Sequence, residues 1–258
     1  MRLVVLTSLA FVIQFIALRS PAGRQVFEFL YLNPEYIRPN PRLGYIPAIW
    51  ELVTYMFCHS PGLMNFMFVP IPTHLAFNMF VLWMFGREVE MNLGSRAFLR
   101  LYFAAGIVAG LCALIPGFIT GRPTLGASGA VLGILGAYGH LFPDRIILVF
   151  FIIPMRVRYF VWVVAALDLY GAIVGGARSN VAHLAHIGGL FTGILMMRRG
   201  WYRRPWLDLE GRQRRSALER ERRTRRRVDE LLDKISREGL NSLSREEREF
   251  LERARRGR

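Results

Sequence analysis

The fold of this chain is decided by two short stretches, GASG at residues 126–129 and AHIGG at residues 185–189. Both lie in apolar segments and are rich in glycine, which allows neighbouring helices in a membrane to approach closely. Each also carries one polar side chain, Ser128 or His186. Polar groups inside a membrane are costly, so they are functional-site candidates. We therefore expect the two segments to pack together and to join a nucleophile with its general base.

Each of these motifs alone has a simpler interpretation. The glycine pairs 129/133 and 189/193 are ordinary close-packing motifs, and a lone intramembrane histidine is more often a satisfied interior residue than a catalyst. The combination favours chemistry, because close packing of the two segments would bring the hydroxyl within reach of the imidazole. A further pair, His74 and Asn78, lies on one helix face. Their side chains are suitable hydrogen-bond donors for a developing oxyanion.

The hydrophobic pattern predicts an all-α membrane protein. A bilayer-spanning helix needs about 20 mostly apolar residues, and six stretches approach that requirement: Leu3–Leu18, His74–Met91, Ala97–Ile115, Ser128–Phe142, Val157–Val174 and Val181–Met197. The apolar stretch Ile146–Ile153 is too short to span and is closed by Pro154, so it predicts an interfacial hook. The first stretch has a cleaved signal peptide as its alternative interpretation.

Charge separates this membrane body from a tail. Residues 1–200 contain seven acidic side chains, and the remaining twelve of the 19 lie in the last 58 residues. We therefore predict a six-helix transmembrane domain over residues 1–199 and a soluble helical tail over residues 200–258. The net charge of +15 does not indicate nucleic-acid binding, because the arginines of the tail alternate with acidic residues. A solvated tail beside anionic lipid is the simpler interpretation.

The arginine distribution predicts the orientation of the domain. Arginines cluster after the second, fourth and sixth predicted spans, whereas the opposite short loops contain Arg122 and Arg178. Because positively charged loops remain in the cytoplasm, both termini are expected there, with Ser128 near the outer end of the fourth span.

In the tail, a helix is expected from about Arg214, with Gly239 as its C-terminal cap. A capping box beginning at Ser244 predicts a second short helix.

The motifs in this order resemble the rhomboid family of intramembrane serine proteases. The resemblance covers most of residues 50 to 197. The matching pieces are His74-x-x-x-Asn78, Gly94-Ser95-Arg96, Gly126-Ala127-Ser128-Gly129 and Ala185-His186-x-Gly188-Gly189-x-x-x-Gly193. The tail is similar to a C-terminal extension of some bacterial rhomboids, which implies a bacterial inner membrane location.

Family resemblance assigns roles to individual residues. Ser128 would be the nucleophile and His186 the general base of a Ser–His dyad. The backbone N–H of Ser128, together with His74 and Asn78, would form an oxyanion hole shaped by Gly126. His183 is a competing candidate for the base. The dyad does not require an acidic residue, so Asp168 is expected to be structural or to face water.

The chain departs from the family pattern in three places. Leu132 stands where the family often has an aromatic ring that packs on the catalytic histidine, so the imidazole would depend on other contacts. Trp50-Glu51 replaces a common Trp-Arg or Trp-Gln pair. An apparent insertion over residues 60–73 is either a membrane-dipping flap or a longer loop.

The resemblance implies cleavage of single-pass transmembrane proteins near the outer face of the lipid bilayer. Two other classes remain open: an inactive relative that binds membrane clients, and a small transporter with His74, Asn78, Asp168 and His186 along a polar pathway. No cofactor or metal is expected, because the histidines lack an i, i+4 pair backed by a third ligand.

Overall fold

The computed structural model describes residues 2–39, 44, 46–62, 64–66, 69–149, 152–175, 179, 182–203, 226–239 and 242–256. Its helices are α1 Arg2–Ala17, α2 Pro21–Glu28, α3 Pro34–Ile37, α4 Glu51–Thr54, α5 Thr73–Leu93, α6 Ser95–Thr120, α7 Ser128–Leu141, α8 Val157–Gly175, α9 His183–Arg198, α10 226–238 and α11 Arg245–Arg256. Two antiparallel hairpins interrupt them: β1 Met64–Phe66 pairs with β2 Val69–Ile71, and β3 Ile146–Val149 with β4 Ile153–Arg156.

Over the residues that the structure describes, the six predicted spans overlap α1 and α5–α9; Val181, the first residue of the sixth span, lies outside the described residues. Of the helices described, α6 and α8 are long and apolar enough to cross a membrane by length and composition alone. The helix α6 continues through Pro116 to Thr120, five residues beyond the end predicted for this span. The stretch predicted as an interfacial hook is a β-hairpin that includes Pro154. The insertion before α5 likewise contains a hairpin, β1 and β2.

Glycine dictates how α7 packs against α9. A Cβ atom added to Gly189 would lie 2.0 Å from the carbonyl oxygen of Gly129, and one added to Gly193 would lie 1.9 Å from that of Gly133. Both distances are far below van der Waals contact, so only glycine permits the two backbones to be this close. The helix α7 also packs on α6, where Ala109 occupies the space beside Gly129. The N-terminal end of α7 is thereby held against two neighbouring helices.

The segment between α1 and α5 is anchored by polar contacts. Gln14 of α1 donates to the carbonyl of His59 (2.9 Å) and accepts from its N–H (2.9 Å). The indole of Trp50 donates to the carbonyl of Phe29 (2.9 Å), and the carboxylate of Glu51 accepts from the N–H of Asn33 (2.8 Å). The unusual Trp50-Glu51 pair therefore anchors this segment.

The chain divides into two compact units, residues 1–203 and 204–258; the boundary predicted from charge lay at residues 199/200. In the second unit, Gly239 adopts a φ of +83° directly after α10, as expected for a C-terminal cap. The Ser244 hydroxyl accepts from the N–H of Glu247 (3.2 Å), and the Glu247 carboxylate accepts from the N–H of Ser244 (2.8 Å). This confirms the capping box. The first part of the predicted tail helix, residues 214–225, lies outside the described residues.

Candidate active site

The hydroxyl of Ser128 and the imidazole of His186 lie within hydrogen-bonding distance. Ser128 Oγ is 2.8 Å from His186 Nε2. Ser128 is the first residue of α7, and His186 lies in the first turn of α9. The backbone contact between Gly129 and Gly189 holds these two helix ends together. The packing of two glycine faces thus brings together two polar side chains that are 58 residues apart in sequence.

The other nitrogen of the His186 ring, Nδ1, lies beside a carboxylate. Asp168 Oδ1 on α8 lies 2.9 Å from His186 Nδ1 and 2.8 Å from His183 Nδ1. A neutral imidazole has one donor nitrogen and one acceptor nitrogen. With Nδ1–H donated to Asp168, His186 Nε2 is the acceptor for the Ser128 hydroxyl, which is the arrangement a general base requires.

Asp168 was expected to be structural or to face water. Its side chain is only 13% exposed and contacts both histidines, so it does not face open water, and a structural role stays a prediction. His183, the competing base, contacts this carboxylate, whereas the imidazole that lies beside Ser128 is that of His186. The signal available in the sequence was an ionisable residue within an apolar span, which is a functional-site candidate by default.

His74 lies beside the loop that precedes Ser128. A Cβ atom added to Gly126 would be 2.8 Å from His74 Cε1, 3.0 Å from its Nε2 and 3.9 Å from Ser128 Oγ. Gly126 also has a φ of +123°, which side chains other than hydrogen rarely tolerate. The N–H of Ser60 lies 3.3 Å from His74 Nδ1 as a donor. A neutral His74 ring consequently carries its proton on Nε2, the nitrogen beside Gly126.

Asn78 is one turn further along α5. It is 4% exposed, and its amide donates to the carbonyl of His74 (2.8 Å). This bond uses one of the two amide hydrogens. Asn78 therefore packs next to His74, as the predicted spacing of four residues requires.

Residues of the preceding segment support the 126–127 loop. The N–H of Gly126 donates to the carbonyl of Tyr55 (2.9 Å), and the N–H of Ala127 lies 3.4 Å from His59 Nε2. His59 is fully buried, and burial lowers its pKa to about 3, so the ring is neutral and can accept this bond. Sequence reasoning gave His59 no role, because no spacing links it to residue 127. Because α7 begins at Ser128, its first N–H groups have no intrahelical acceptor, and no side chain of the N-cap residue Ala127 accepts from them.

Asp168, His183 and His186 also form a possible donor set for a metal ion. One ligand atom from each lies within 4.8 Å of the others. The two imidazole nitrogens lie 2.8 and 2.9 Å from one carboxylate oxygen, so the contacts among the three residues are those of a hydrogen-bonded cluster.

The chain matches two family models. Residues 47–203 match the rhomboid domain, and residues 218–254 match a family of unknown function. The first match contains Ser128, His186, Asp168, His74 and Asn78. The second family model matches residues of the tail alone.

Several relatives are similar to the first unit. Rhomboid protein 1, mitochondrial, from Saccharomyces cerevisiae is 34% identical over 133 residues, covering 50% of this chain and 37% of the yeast protein. The human presenilin-associated rhomboid-like protein, mitochondrial, is 33% identical over 134 residues, covering 50% of this chain and 33% of the relative. Rhomboid protease GluP from Bacillus subtilis is 36% identical over 146 residues, covering 56% of this chain and 25% of the relative.

The chain thus spans between a quarter and somewhat over a third of the length of these relatives. The rhomboid domain match extends over more than half of the chain and contains every residue of the site described above. On that match, the chain belongs to the rhomboid family, whose members are integral membrane proteins.

Proposed function

We propose that this protein is an intramembrane serine endopeptidase in which Ser128 is the nucleophile and His186 the general base. The observation that supports this most strongly is the 2.8 Å separation of Ser128 Oγ and His186 Nε2. In the proposed reaction, His186 Nε2 accepts the hydroxyl proton as Ser128 Oγ attacks the scissile carbonyl carbon. The proton then passes to the leaving amine, and the acyl-enzyme remains. Water resolves the ester, with His186 again acting as base.

The tetrahedral intermediate requires donors for its negative oxygen. We assign these to the backbone N–H of Ser128, the His74 imidazole and the Asn78 amide, with Gly126 leaving the necessary space. The tautomer of His74 supports its assignment, because a ring that accepts from Ser60 at Nδ1 offers Nε2–H on the side of Gly126. Such donors each contribute on the order of 10²–10³ to turnover.

The proposed setting is a bundle of six transmembrane helices formed by α1 and α5–α9. The arginine-rich loops support an orientation with both termini in the cytoplasm and Ser128 near the outer face. The substrates would be single-pass transmembrane proteins cleaved near that face. A bacterial plasma membrane is consistent with the similarity to GluP from Bacillus subtilis, whereas the yeast and human relatives are named as mitochondrial proteins.

The test is cleavage of a generic single-pass transmembrane substrate in proteoliposomes by the full chain and by Ser128→Ala. We expect cleavage by the wild type and none by the variant, because the variant lacks the nucleophile. Equal cleavage by both, or no cleavage by either over a range of substrates, would contradict the proposal. The latter result would favour an inactive relative that binds membrane clients.

A further inference from the structure

The carboxylate of Asp168 occupies the position behind the proposed base. Its Oδ1 atom lies 2.9 Å from His186 Nδ1, while His186 Nε2 lies 2.8 Å from Ser128 Oγ. The three side chains come from α8, α9 and α7 and form one continuous line of hydrogen bonds. A carboxylate in this position holds an imidazole in the tautomer that can accept a proton from the serine, and it stabilises the imidazolium that forms.

We propose that Asp168 is a positioning residue for catalysis, so that this chain uses a Ser–His–Asp arrangement in place of the simple dyad. The inference rests on the proposed protease function. It assigns no proton transfer to Asp168, which stays ionised while His186 is alternately neutral and protonated.

The hydrogen bond between His186 Nδ1 and Asp168 defines the orientation of the imidazole ring. It also selects the tautomer in which Nε2 is free to accept the proton of Ser128.

His183 holds the carboxylate itself. Its Nδ1 lies 2.8 Å from the same Asp168 oxygen, and its ring lies over Gly171, one turn along α8 from Asp168. A Cβ atom added to Gly171 would be 2.4 Å from His183 Cε1, so the glycine provides the space that the ring occupies. With two donors on one oxygen, the carboxylate has a fixed position relative to His186.

A structural role predicts a different outcome. If Asp168 only fastens α8 to α9, its loss should reduce the amount of folded protein but leave the turnover of each folded site unchanged. If it positions His186, each folded site should turn over more slowly while substrate binding is unaffected. Turnover per active site and the separation of kcat from KM distinguish these roles.

The experiment compares full-length wild type, Asp168→Asn and Asp168→Glu with the same substitution at Asp144, an exposed loop residue that pairs with Arg156 and Arg158. Turnover of a transmembrane substrate is divided by the final extent of Ser128 labelling with a fluorophosphonate, which counts folded sites. For Asp168→Asn we expect kcat per site to fall by about 10²-fold or more with little change in KM, because an amide also supports the unproductive tautomer. Asp168→Glu should recover part of this loss, and Asp144→Asn should behave as wild type.

The inference is overturned if Asp168→Asn keeps a kcat per site within about threefold of wild type, or exceeds it. It is also overturned if the Glu variant is no better than the Asn variant. If the Asn variant does not fold, Asp168→Ala is assayed with and without formate, which can replace the missing carboxylate. An increase in turnover with formate supports the inference, and no increase contradicts it. Failure of the proposed protease function would give a different result, because the wild type and Ser128→Ala would then cleave the substrate equally or not at all.

Discussion

The helix α9 meets α7 and α8 through two different kinds of contact. Against α7 it presents Gly189 and Gly193, each within about 2 Å of a carbonyl oxygen if a Cβ is added. Against α8 it presents His183 and His186, both hydrogen-bonded to Asp168. At the first contact the two backbones touch with no side chain between the glycines, and at the second polar side chains bond to each other, beside an aromatic contact of Trp162 with Phe191.

The difference shows how distance and orientation are controlled separately. The glycine interface determines how far His186 is from Ser128, because no side chain can be inserted or rotated to change the spacing of two backbones in contact. The polar interface determines which nitrogen of His186 faces the hydroxyl. Disrupting the first should eliminate the site, whereas disrupting the second should leave a folded site that works slowly.

The largest effect is expected at the glycine interface. Gly189→Val would place branched carbon atoms where only 2.0 Å separates a Cβ from the oxygen of Gly129. Overpacking of this kind costs roughly 1–3 kcal/mol or more, and a displacement of about 1 Å can reduce the rate 10²-fold. We expect loss of detectable cleavage together with a lower thermal midpoint. Gly62→Ala is the control, because the nearest atom to its added Cβ is 3.5 Å away. Cleavage by Gly189→Val at the wild-type rate would contradict this expectation, because it would show that the spacing of the α7 and α9 backbones can change without loss of the site.

A smaller effect is expected from one donor of the polar interface. His183→Gln removes the imidazole that bonds Asp168 but leaves the bond between Asp168 and His186. One hydrogen bond is worth about 1 kcal/mol, so we expect kcat to fall about fivefold with KM unchanged. The same substitution at His140, an exposed residue near the end of α7, should leave kcat at the wild-type value. A loss as large as that of His186→Ala would instead identify His183 as the base.

The smallest effect concerns a polar contact remote from the reaction. Glu51 is fully buried, and burial raises the pKa of its carboxyl to about 7, against the opposing hydrogen bond from Asn33. The folded state therefore binds this proton more tightly than the unfolded state, whose value is near 4.5. The resulting stability is present below pH 4.5 and is lost as the pH rises through about 7.

Glu51→Gln removes this dependence while keeping an acceptor for Asn33. We expect the thermal midpoint of the variant, relative to wild type, to increase between pH 5 and pH 8, with kcat unchanged. Glu28→Gln, at an exposed position, provides the comparison. Parallel curves for Glu51→Gln and wild type across this range would rule out a buried, titrating carboxyl at this position.

Sequence alone predicted the helical segments because apolar runs and glycine spacing are local features. The proximity of residues 128 and 186 followed from two glycine faces that have few other ways to pack. The orientation of α8 did not follow, because its apolar sequence is nearly uniform and lacks a periodic face. Which neighbour Asp168 meets depends on that orientation, and so its two histidine partners were not predicted.

The hairpins were missed for a related reason. The strands β3 and β4 lie in an apolar stretch whose composition suits a membrane interface as well as a strand. Pro154 indicated an end to the segment, whereas it lies within a strand of a two-stranded hairpin, where one edge needs no N–H donor. Likewise, the contact of His59 with Ala127 joins residues 68 positions apart and has no signature in the sequence.

The proposed mechanism requires that His186 activate Ser128 as a nucleophile. This activation can be measured by mass-spectrometric mapping of the adduct formed when the full chain, in detergent, reacts with a fluorophosphonate. We expect an adduct on Ser128 in the wild type that forms far more slowly in His186→Ala and at the wild-type rate in His140→Gln. Equal rates of modification in the wild type and in His186→Ala, or no adduct at residue 128, would contradict it.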